Sequence, residues 1–267
     1  MITQNLPAHL IAAMESQAEA AAADTDANSC CCGTIVLFPF LAQGHLNPFL
    51  DLGFLLSSRY RSLSLLFLTT PANLPNLQPL FRSIPTIRLL TLPFNSADDL
   101  PPNVHHTRFL SAAHVTAFNH ATQSLRPAFH GLLASLISDG GPPLLCIVAD
   151  MFLAWAVQVS GAFGVFHATL YTSGPYAMAI YNSIWTHLPH KHTSADVLTL
   201  PDLPGVTIHR SQLSANMRAA TPDSPALLFV RRQAELGRMA DGALWNTVEA
   251  LERRSLDEWG KPVWASE

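Results

Sequence analysis

The sequence has little charge and few cysteines, and each shortage argues against a class of protein. Charged residues make up 13% of the 267 residues, and no basic block accompanies the net charge of −4. The chain therefore lacks the electrostatic footprint of a nucleic-acid-binding protein. Three of the four cysteines are adjacent, which is not a disulfide framework, and Cys146 lies in an apolar, strand-like run where a packing role is expected. A reducing, cytoplasmic setting follows.

Long apolar runs and phosphate-binding loops are also missing. No uninterrupted apolar run reaches the ~18 residues that a membrane-spanning helix needs, because Asp150 interrupts the most apolar stretch, 144–157. Neither G-x-G-x-x-G nor G-x-x-x-x-G-K-[ST] occurs, so no dinucleotide fingerprint or P-loop is present. His187, His190 and His192 have loop-like spacing, and no metal is expected there. A small neutral partner fits this composition best.

Strand-like and helix-like segments alternate from residue 34 onward. Predicted strands cover 34–39, 63–68, 86–92, 144–149, 165–170 and 242–247. Helical segments are predicted at 46–58, 105–138, 151–161, 227–240 and 248–259, with a helix or loop at 71–83, a helical stretch after 170 and a long loop at 189–204. This alternation predicts an α/β fold with a Rossmann-like, doubly wound parallel sheet.

The first 33 residues differ in composition from the rest. Residues 1–33 are alanine-rich and acidic, with no cationic start, no apolar signal core and no arginine. These features argue against a secretory signal and against a transit peptide. We predict a flexible N-terminal extension at 1–33, followed by one α/β domain at 34–260.

His45 lies where a predicted strand gives way to a predicted helix. Residues 34–39 have the pattern of a buried strand, and the apolar spacing from Leu46 predicts a helix whose first turn accepts Pro48. Open α/β sheets bind their ligands at this carboxyl edge. His45 is therefore a candidate base. The alternative is a histidine that only helps to start the helix.

Asp150 follows the fourth predicted strand in the apolar run IVADMFLAWAV. In a doubly wound sheet it reaches the same edge as His45, so the two side chains are expected to form a hydrogen bond across 105 residues. An aspartate in that position orients an imidazole, fixes its tautomer and stabilises the imidazolium. Alternatively, Asp150 is a helix N-cap. Thr172 follows the fifth strand, where a hydroxyl suits a sugar or phosphate group.

Six segments resemble, in order, the plant UDP-sugar-dependent glycosyltransferases of small molecules. They are FPFLAQGHLNPFLDL with its G-H-x-x-P core at 44–48, VADMFLAWA at 148–156, YTSG at 171–174, PGVTIHRSQL at 204–213, DGALWNTVEALE at 241–252 and GKPVW at 260–264. Together they extend over nearly all of residues 34–264. The resemblance implies the N-terminal domain of a GT-B fold, in which two Rossmann-like domains face each other. It also implies that residues 261–267 begin an interdomain linker.

The resemblance further implies roles for single residues. The family's general base falls on His45 and its orienting aspartate on Asp150, so that His45 would deprotonate an acceptor hydroxyl that attacks the sugar with inversion as UDP departs. Thr172 falls on a position that contacts the donor sugar. UDP-sugar is then a co-substrate, and no cofactor is expected. The pocket for a small hydroxylated, hydrophobic acceptor is assigned by position to four apolar residues, Phe94, Phe118, Met151 and Phe152.

One part of the family's pattern is missing from the 267 residues. The Trp-initiated nucleotide-sugar box, with its H-C-G-W-N-S and final D-Q, does not occur. The groups that bind UDP and stabilise its leaving charge belong to that box, and such stabilisation is usually the largest contribution to catalysis. We therefore expect a truncated enzyme without its C-terminal domain. Such a chain binds UDP-sugar only when that domain is supplied and transfers negligible sugar alone.

Two alternatives remain at this stage. The chain is either a non-catalytic protein that binds a small hydroxylated metabolite, or a half-enzyme that another chain complements in trans. A lone half is also expected to expose the apolar surface that normally faces a partner domain. By position, we assign Phe40, Leu41 and Trp264 to that surface.

Overall fold

The computed structural model describes residues 33–82, 84, 86–95, 100, 104–108, 110–257 and 263–265. Almost all of the predicted N-terminal extension, and residues 261, 262, 266 and 267 of the predicted linker, lie outside the described residues. None of the helices in the described ranges is both long enough and apolar enough to cross a bilayer.

A parallel sheet forms the centre of the molecule, as the sequence predicted. Its strands are β1 (Thr34–Phe38), β2 (Ser64–Thr69), β3 (Ile87–Thr91), β4 (Leu144–Asp150), β5 (Phe166–Tyr171), β8 (Gly242–Trp245) and β9 (Val263–Ala265), and a separate antiparallel hairpin pairs β6 (Val197–Thr199) with β7 (Thr207–His209). In the described part of the chain the strand order is β3-β2-β1-β4-β5-β8-β9, with every pairing parallel. The order reverses between β1 and β4, and doubly wound sheets bind ligands at such a reversal.

Helices cover both faces of this sheet. They are α1 (Gln43–Arg59), α2 (Leu74–Phe81), α3 (Ala112–Ala121), α4 (Arg126–Ser138), α5 (Ala156–Ala162), α6 (Pro175–His187), α7 (Ala215–Ala219), α8 (Pro225–Gly237) and α9 (Glu249–Asp257). Prolines stand in the first turns of α4, α6 and α8, where a missing N–H breaks no helical hydrogen bond. Pro127 thus divides the helical region predicted at 105–138, whose first part begins only at Ala112.

The side chains of β1 alternate between two apolar layers. Phe38 belongs to the layer under α4 and α5, where its ring contacts Phe129 at 4.9 Å and Trp155 edge-on at 5.8 Å. Leu37 points to the opposite layer and packs with Phe49 of α1. Burial on both faces explains why β1 reads as a continuous apolar run. The carboxyl edge of the sheet is therefore held firmly from both sides.

The two residues expected on an exposed apolar surface are in fact buried. Phe40 is 2% exposed and Leu41 is fully buried, so this prediction is wrong. Both pack into the layer that contains Phe118 of α3, and the Thr107 N–H donates to the Leu41 carbonyl at 3.2 Å. They close the end of the core because α3 and the segment at 104–108 fold over them. The side chain of Trp264 lies outside what the structure describes.

Candidate active site

His45 is the third residue of α1. The sequence had predicted that it precedes the helix. The helix begins at Gln43 because Ala42 is extended (φ −136°, ψ 141°) and its carbonyl accepts the N–H groups of His45 and Leu46, both at 2.9 Å. Ala42 offers no side-chain cap. The imidazole is thus carried by the first turn of a regular helix and not by a loop.

His45 and Asp150 meet at the carboxyl edge, at the reversal of strand order. Nδ1 of His45 lies 2.7 Å from Oδ2 of Asp150, which is the last residue of β4 and is fully buried. The β1–β4 register, which pairs Phe38 with Ala149, brings the two chain segments together. Oδ1 of Asp150 accepts the Phe152 N–H at 2.9 Å and caps the 3₁₀ turn Met151–Leu153. Asp150 is therefore both the partner of His45 and an N-cap, through separate oxygens.

The hydrogen bond to Asp150 sets the protonation state of the imidazole. With Nδ1–H donating to the carboxylate, Nε2 keeps its lone pair, and no described residue bonds to it. Burial lowers the pKa of His45, but the charge of Asp150 and its hydrogen bond raise it more, so the pKa lies above 6.5. The side chain remains 19% exposed. A partly exposed imidazole whose Nδ1 is held by a carboxylate is suited to accepting a proton at its other nitrogen.

Aromatic rings surround the imidazole. The rings of Phe40 and Phe152 lie 5.3 Å and 5.2 Å from that of His45. Phe40 contacts Phe118 edge-on at 5.9 Å, and Phe118 contacts Phe94 at 5.4 Å. Three of the four predicted pocket residues thus belong to one row of rings that reaches His45. Phe94 and Phe118 are buried in the core, whereas Phe152 is half-buried and keeps an accessible surface.

Two further rings of this row were missed by sequence reasoning. Phe40 is the link between His45 and Phe118, and Phe229 of α8 lies 6.1 Å from Phe152. The position of Phe40 directly after β1 is a signal that could have identified it. Phe229 carries no such signal, because α8 reaches the site only through the tertiary fold.

Met151, the fourth predicted pocket residue, packs in a different cluster. It lies against the group that contains Tyr171 and Trp245, whose rings stack at 4.2 Å. It also lines a cavity of about 100 Å³ together with Tyr171 and Gln233. The row of rings beside His45 does not include it, and its contact with an acceptor stays a prediction.

Thr172 lies at the same edge, directly after β5. Strand β5 is the neighbour of β4, with Leu170 paired to Asp150. Thr172 is half-buried, and its carbonyl accepts from Nδ2 of Asn246 at 3.4 Å, while the Asn246 N–H donates to the Tyr171 carbonyl at 3.0 Å. Two hydrogen bonds from the end of β8 therefore hold the turn. Within the described chain no residue bonds to the Thr172 hydroxyl.

The histidines of the long loop have separate surroundings. Nε2 of His187 lies 3.4 Å from Oδ2 of Asp202, His190 is buried, and His192 is exposed. Among the described histidine, cysteine, aspartate and glutamate side chains, no group of three is placed to hold a metal ion.

Comparison with curated sequences relates the chain to plant glycosyltransferases. A scan against models of protein families found no match. Crocetin glucosyltransferase 3 of Crocus sativus is 36% identical over 226 residues, which are 83% of this chain and 47% of that protein. UDP-glycosyltransferase 92A1 of Arabidopsis thaliana is 30% identical over 241 residues, which are 86% of this chain and 49% of that protein. The chain spans about half the length of the curated relatives it matches.

Solved structures of such enzymes share the fold. UGT73P12 of Glycyrrhiza uralensis, complexed with glycyrrhetinic acid 3-O-monoglucuronide, matches with a TM-score of 0.68 and 21% identity over 88% of this chain and 48% of that one. UGT2 of Phytolacca americana, complexed with UDP-2fluoro-glucose and pterostilbene, matches with a TM-score of 0.67 and 21% identity over 87% of this chain and 53% of that one. These likenesses confirm the predicted fold of a GT-B N-terminal domain. On the sequence relationships, the chain belongs to the plant UDP-glycosyltransferase family and corresponds to the N-terminal half of its members.

Proposed function

We propose that this chain is the acceptor-binding, base-carrying half of an inverting UDP-glycosyltransferase that transfers a hexose to a hydroxyl of a small hydrophobic metabolite. The observation that carries the proposal is the 2.7 Å hydrogen bond between His45 and Asp150 at the reversal of strand order. It joins a nitrogen able to accept a proton to a buried carboxylate that stabilises the imidazolium. This geometry suits deprotonation of an acceptor hydroxyl.

In the proposed reaction the acceptor hydroxyl donates a hydrogen bond to Nε2 of His45. The hydroxyl oxygen attacks the anomeric carbon, and its proton moves to Nε2. The bond between that carbon and the UDP oxygen breaks on the opposite side, and UDP leaves with the electron pair. Asp150 stabilises the resulting imidazolium, which the positive end of α1 would otherwise disfavour.

The surroundings of His45 support an aromatic or terpenoid acceptor. The half-buried ring of Phe152 offers a planar apolar surface beside the His45 ring, and ring–ring contacts of this kind orient planar ligands. Two relatives are named for small, largely apolar acceptors, crocetin and a flavonol. Thr172, half-buried with its hydroxyl unpaired among the described residues, is assigned to the donor sugar.

The proposal includes a second domain that supplies the UDP-sugar. The 267 residues include the proposed base and acceptor wall but not the H-C-G-W-N-S box, so negligible transfer by the chain alone is expected. A cytosolic setting is also part of the proposal. It is supported by Cys146, which is buried and forms no disulfide.

The test is complementation. The purified chain is incubated with labelled UDP-glucose and a panel of phenolic and terpenoid acceptors, alone and with the separately expressed C-terminal half of the Crocus sativus relative. We expect turnover only in the mixture, and a loss of about 10²–10⁴-fold in His45→Ala. His130→Ala, on the exposed surface of α4, is the matched control.

Two results would contradict the proposal. One is robust transfer by the chain alone, and the other is wild-type turnover of the complemented His45→Ala variant. Saturable acceptor binding without turnover in any mixture would instead favour a metabolite-binding protein.

A further inference from the structure

A cavity of about 270 Å³ lies between α1, α2 and the segment at 104–108. Four leucines line it together with four carboxamides, one imidazole and one guanidinium, which belong to Gln43, Asn47, Asn73, Asn76, His106 and Arg108. Small-molecule sites usually measure about 300–1,000 Å³, so this cavity has room for a group the size of a single ring. We call it the carboxamide cavity.

The carboxamide of Asn73 is held with its oxygen unpaired. Asn73 is 5% exposed, and its Nδ2 donates to the His105 carbonyl at 2.7 Å and to the Thr70 hydroxyl at 3.2 Å. Because a carbonyl oxygen only accepts, the amide nitrogen has to face His105, which fixes the orientation of the amide. No described residue donates to Oδ1. Since Asn73 lines the carboxamide cavity, this buried acceptor marks a place for a donor inside it.

The lining restricts the chemistry of an occupant. A group beside Oδ1 of Asn73 has to donate a hydrogen bond, so a carboxylate does not fit there. A cation is disfavoured, because Arg108 belongs to the lining and none of the lining side chains that the structure describes is a carboxylate. A neutral hydroxyl meets both conditions. Each of the three exposed carboxamides adds one acceptor and two donors, which suits the adjacent hydroxyls of a sugar ring.

The carboxamide cavity lies on the other side of α1 from the imidazole of His45. At about 100° per residue, the four lining residues of α1 stand roughly 100–200° around the helix from His45. Two of them, Leu46 and Leu50, pack in the layer of Leu37, whereas Phe40, which contacts the imidazole, belongs to the opposite layer. The first turns of α1 therefore separate this cavity from the candidate active site.

We propose that the carboxamide cavity is a second ligand site, which binds a hexopyranose ring through its hydroxyls. The carboxamides exchange hydrogen bonds with the hydroxyls, and the leucines contact the C–H face of the ring or an apolar group attached to it. A free sugar and a glycoside of an apolar metabolite both present such a ring. The proposal does not rest on the proposed function, because neither His45 nor a UDP-sugar takes part in the binding.

Binding is measured by ligand-observed NMR titration of the purified chain. Methyl β-glucoside is the probe for a free sugar and phenyl β-glucoside the probe for a glycoside. We expect saturable binding of both, with Kd on the order of 1 mM for ligands so small. A Kd at least about fivefold lower for the phenyl glucoside would assign the cavity to glycosides, and equal values would assign it to the sugar ring alone.

Substitutions of exposed carboxamides locate the binding without disturbing the core. Asn47→Leu and Asn76→Leu each remove hydrogen-bonding groups from the lining, and we expect each to raise Kd at least about threefold and the double variant at least about tenfold. Gln78→Leu removes an equally exposed carboxamide of α2 that is not part of the lining, so it is the matched control and should leave Kd unchanged. Circular dichroism of each variant verifies its fold.

Four results would overturn the proposal. The first two are an absence of saturable binding and a double variant that binds both glucosides like the wild type. A third is binding of benzoate, but of neither glucoside, that Asn76→Leu abolishes, since the cavity would then take an anion. The fourth is glucoside binding that Phe152→Ala weakens and the double variant does not, which would place the sugar at the candidate active site.

Discussion

The ring of Phe152 lies 5.2 Å from the ring of His45, and the carboxylate that holds the imidazole also holds the Phe152 N–H. The candidate base and the apolar surface beside it therefore share one anchor, Asp150. A change at Asp150 that spares the backbone contact separates the two roles.

Asp150→Asn is that change. We expect the amide oxygen to keep accepting the Phe152 N–H while the amide nitrogen donates to Nδ1 of His45. The imidazole proton then moves to Nε2, and the pKa of His45 falls because the charge of Asp150 is lost. Nitrogen NMR of the ring measures both the tautomer and the pKa.

Asp241→Asn is the control for this variant, because Oδ2 of Asp241 also accepts a backbone N–H, that of His167 at 2.8 Å, but at the amino end of β5. It should leave His45 unchanged. An unaltered tautomer and pKa in Asp150→Asn would show that the hydrogen bond does not control the base.

His45 should stabilise the fold more in acid than in base. Its pKa is raised in the folded chain, so the folded state binds the proton more tightly than the unfolded state. The resulting stability is fully present below about pH 6.5 and is lost as the pH rises through the folded-state pKa. Urea unfolding of the wild type and of His45→Gln across this range measures the difference. A difference that grows with pH would contradict the assignment.

His167 should have the opposite effect. Burial lowers its pKa to about 3, while its Nδ1 lies 2.7 Å from the Ser160 hydroxyl. In the unfolded chain His167 becomes protonated near pH 6.5, whereas in the folded chain it stays neutral down to about pH 3. The free energy of unfolding therefore falls below pH 6.5 by up to about 1.4 kcal/mol per pH unit. His167→Leu should flatten this acid limb, and His130→Leu on the exposed surface should not. Equal slopes in wild type and His167→Leu would rule out this source of acid sensitivity.

Substitutions of Phe118 and Phe152 should have different effects on fold stability and on acceptor affinity. Phe118 is fully buried, so Phe118→Ala is expected to lower the free energy of unfolding by about 3–5 kcal/mol. Phe152 is half-buried, so Phe152→Ala should cost only ~1–2 kcal/mol but weaken binding of a phenolic acceptor roughly tenfold. Denaturant titration and calorimetry measure the two effects.

Phe81→Ala is the control for these variants. Phe81 packs on Phe67 at 5.2 Å in the opposite layer of the core. It should destabilise like Phe118→Ala and leave acceptor affinity unchanged. Equal affinities of wild type and Phe152→Ala would remove Phe152 from the pocket.

Gly174 and Glu252 should be energetically coupled. A Cβ at residue 174 displaces the Glu252 carboxylate from the Tyr176 N–H, so Gly174→Ala is expected to cost about 1 kcal/mol, the value of a helix cap. In the Glu252→Ala background the same change should cost less. Gly131→Ala, in α4 with open space around it, should instead stabilise by about 0.5–1 kcal/mol. A double-mutant cycle measures the coupling, and additive losses would argue against the contact.

The sequence predicted the parts of the fold that local patterns encode. The apolar run of β1 and the rule that parallel strands end at one edge were enough to place His45 next to Asp150. The start of α1 was missed by three residues because Ala42 has no capping side chain to announce it. The β6–β7 hairpin was missed because its strands are three residues long, and the guanidinium of Arg210 holds that region through the carbonyls of His190 and Ala195. Contacts of this kind leave no periodic pattern.

The burial of side chains that follow the end of a strand was the feature least predictable from the sequence. Phe40 follows β1 directly, and only Phe118, far along the chain, decides that it is covered. The same holds for Leu251, whose amphipathic helix gives no sign that 82% of the side chain stays exposed. Both depend on which distant segment reaches the carboxyl edge.

The two oxygens of Asp150 also bear on how this gene would change over evolutionary time. An asparagine at that position keeps the acceptor for the Phe152 N–H and differs from aspartate by a single nucleotide in the codon. Under the proposed function, a duplicated copy that is selected only to fold would lose the proposed chemistry there without losing its architecture. Asparagine opposite a retained His45 is thus the expected mark of a silenced descendant.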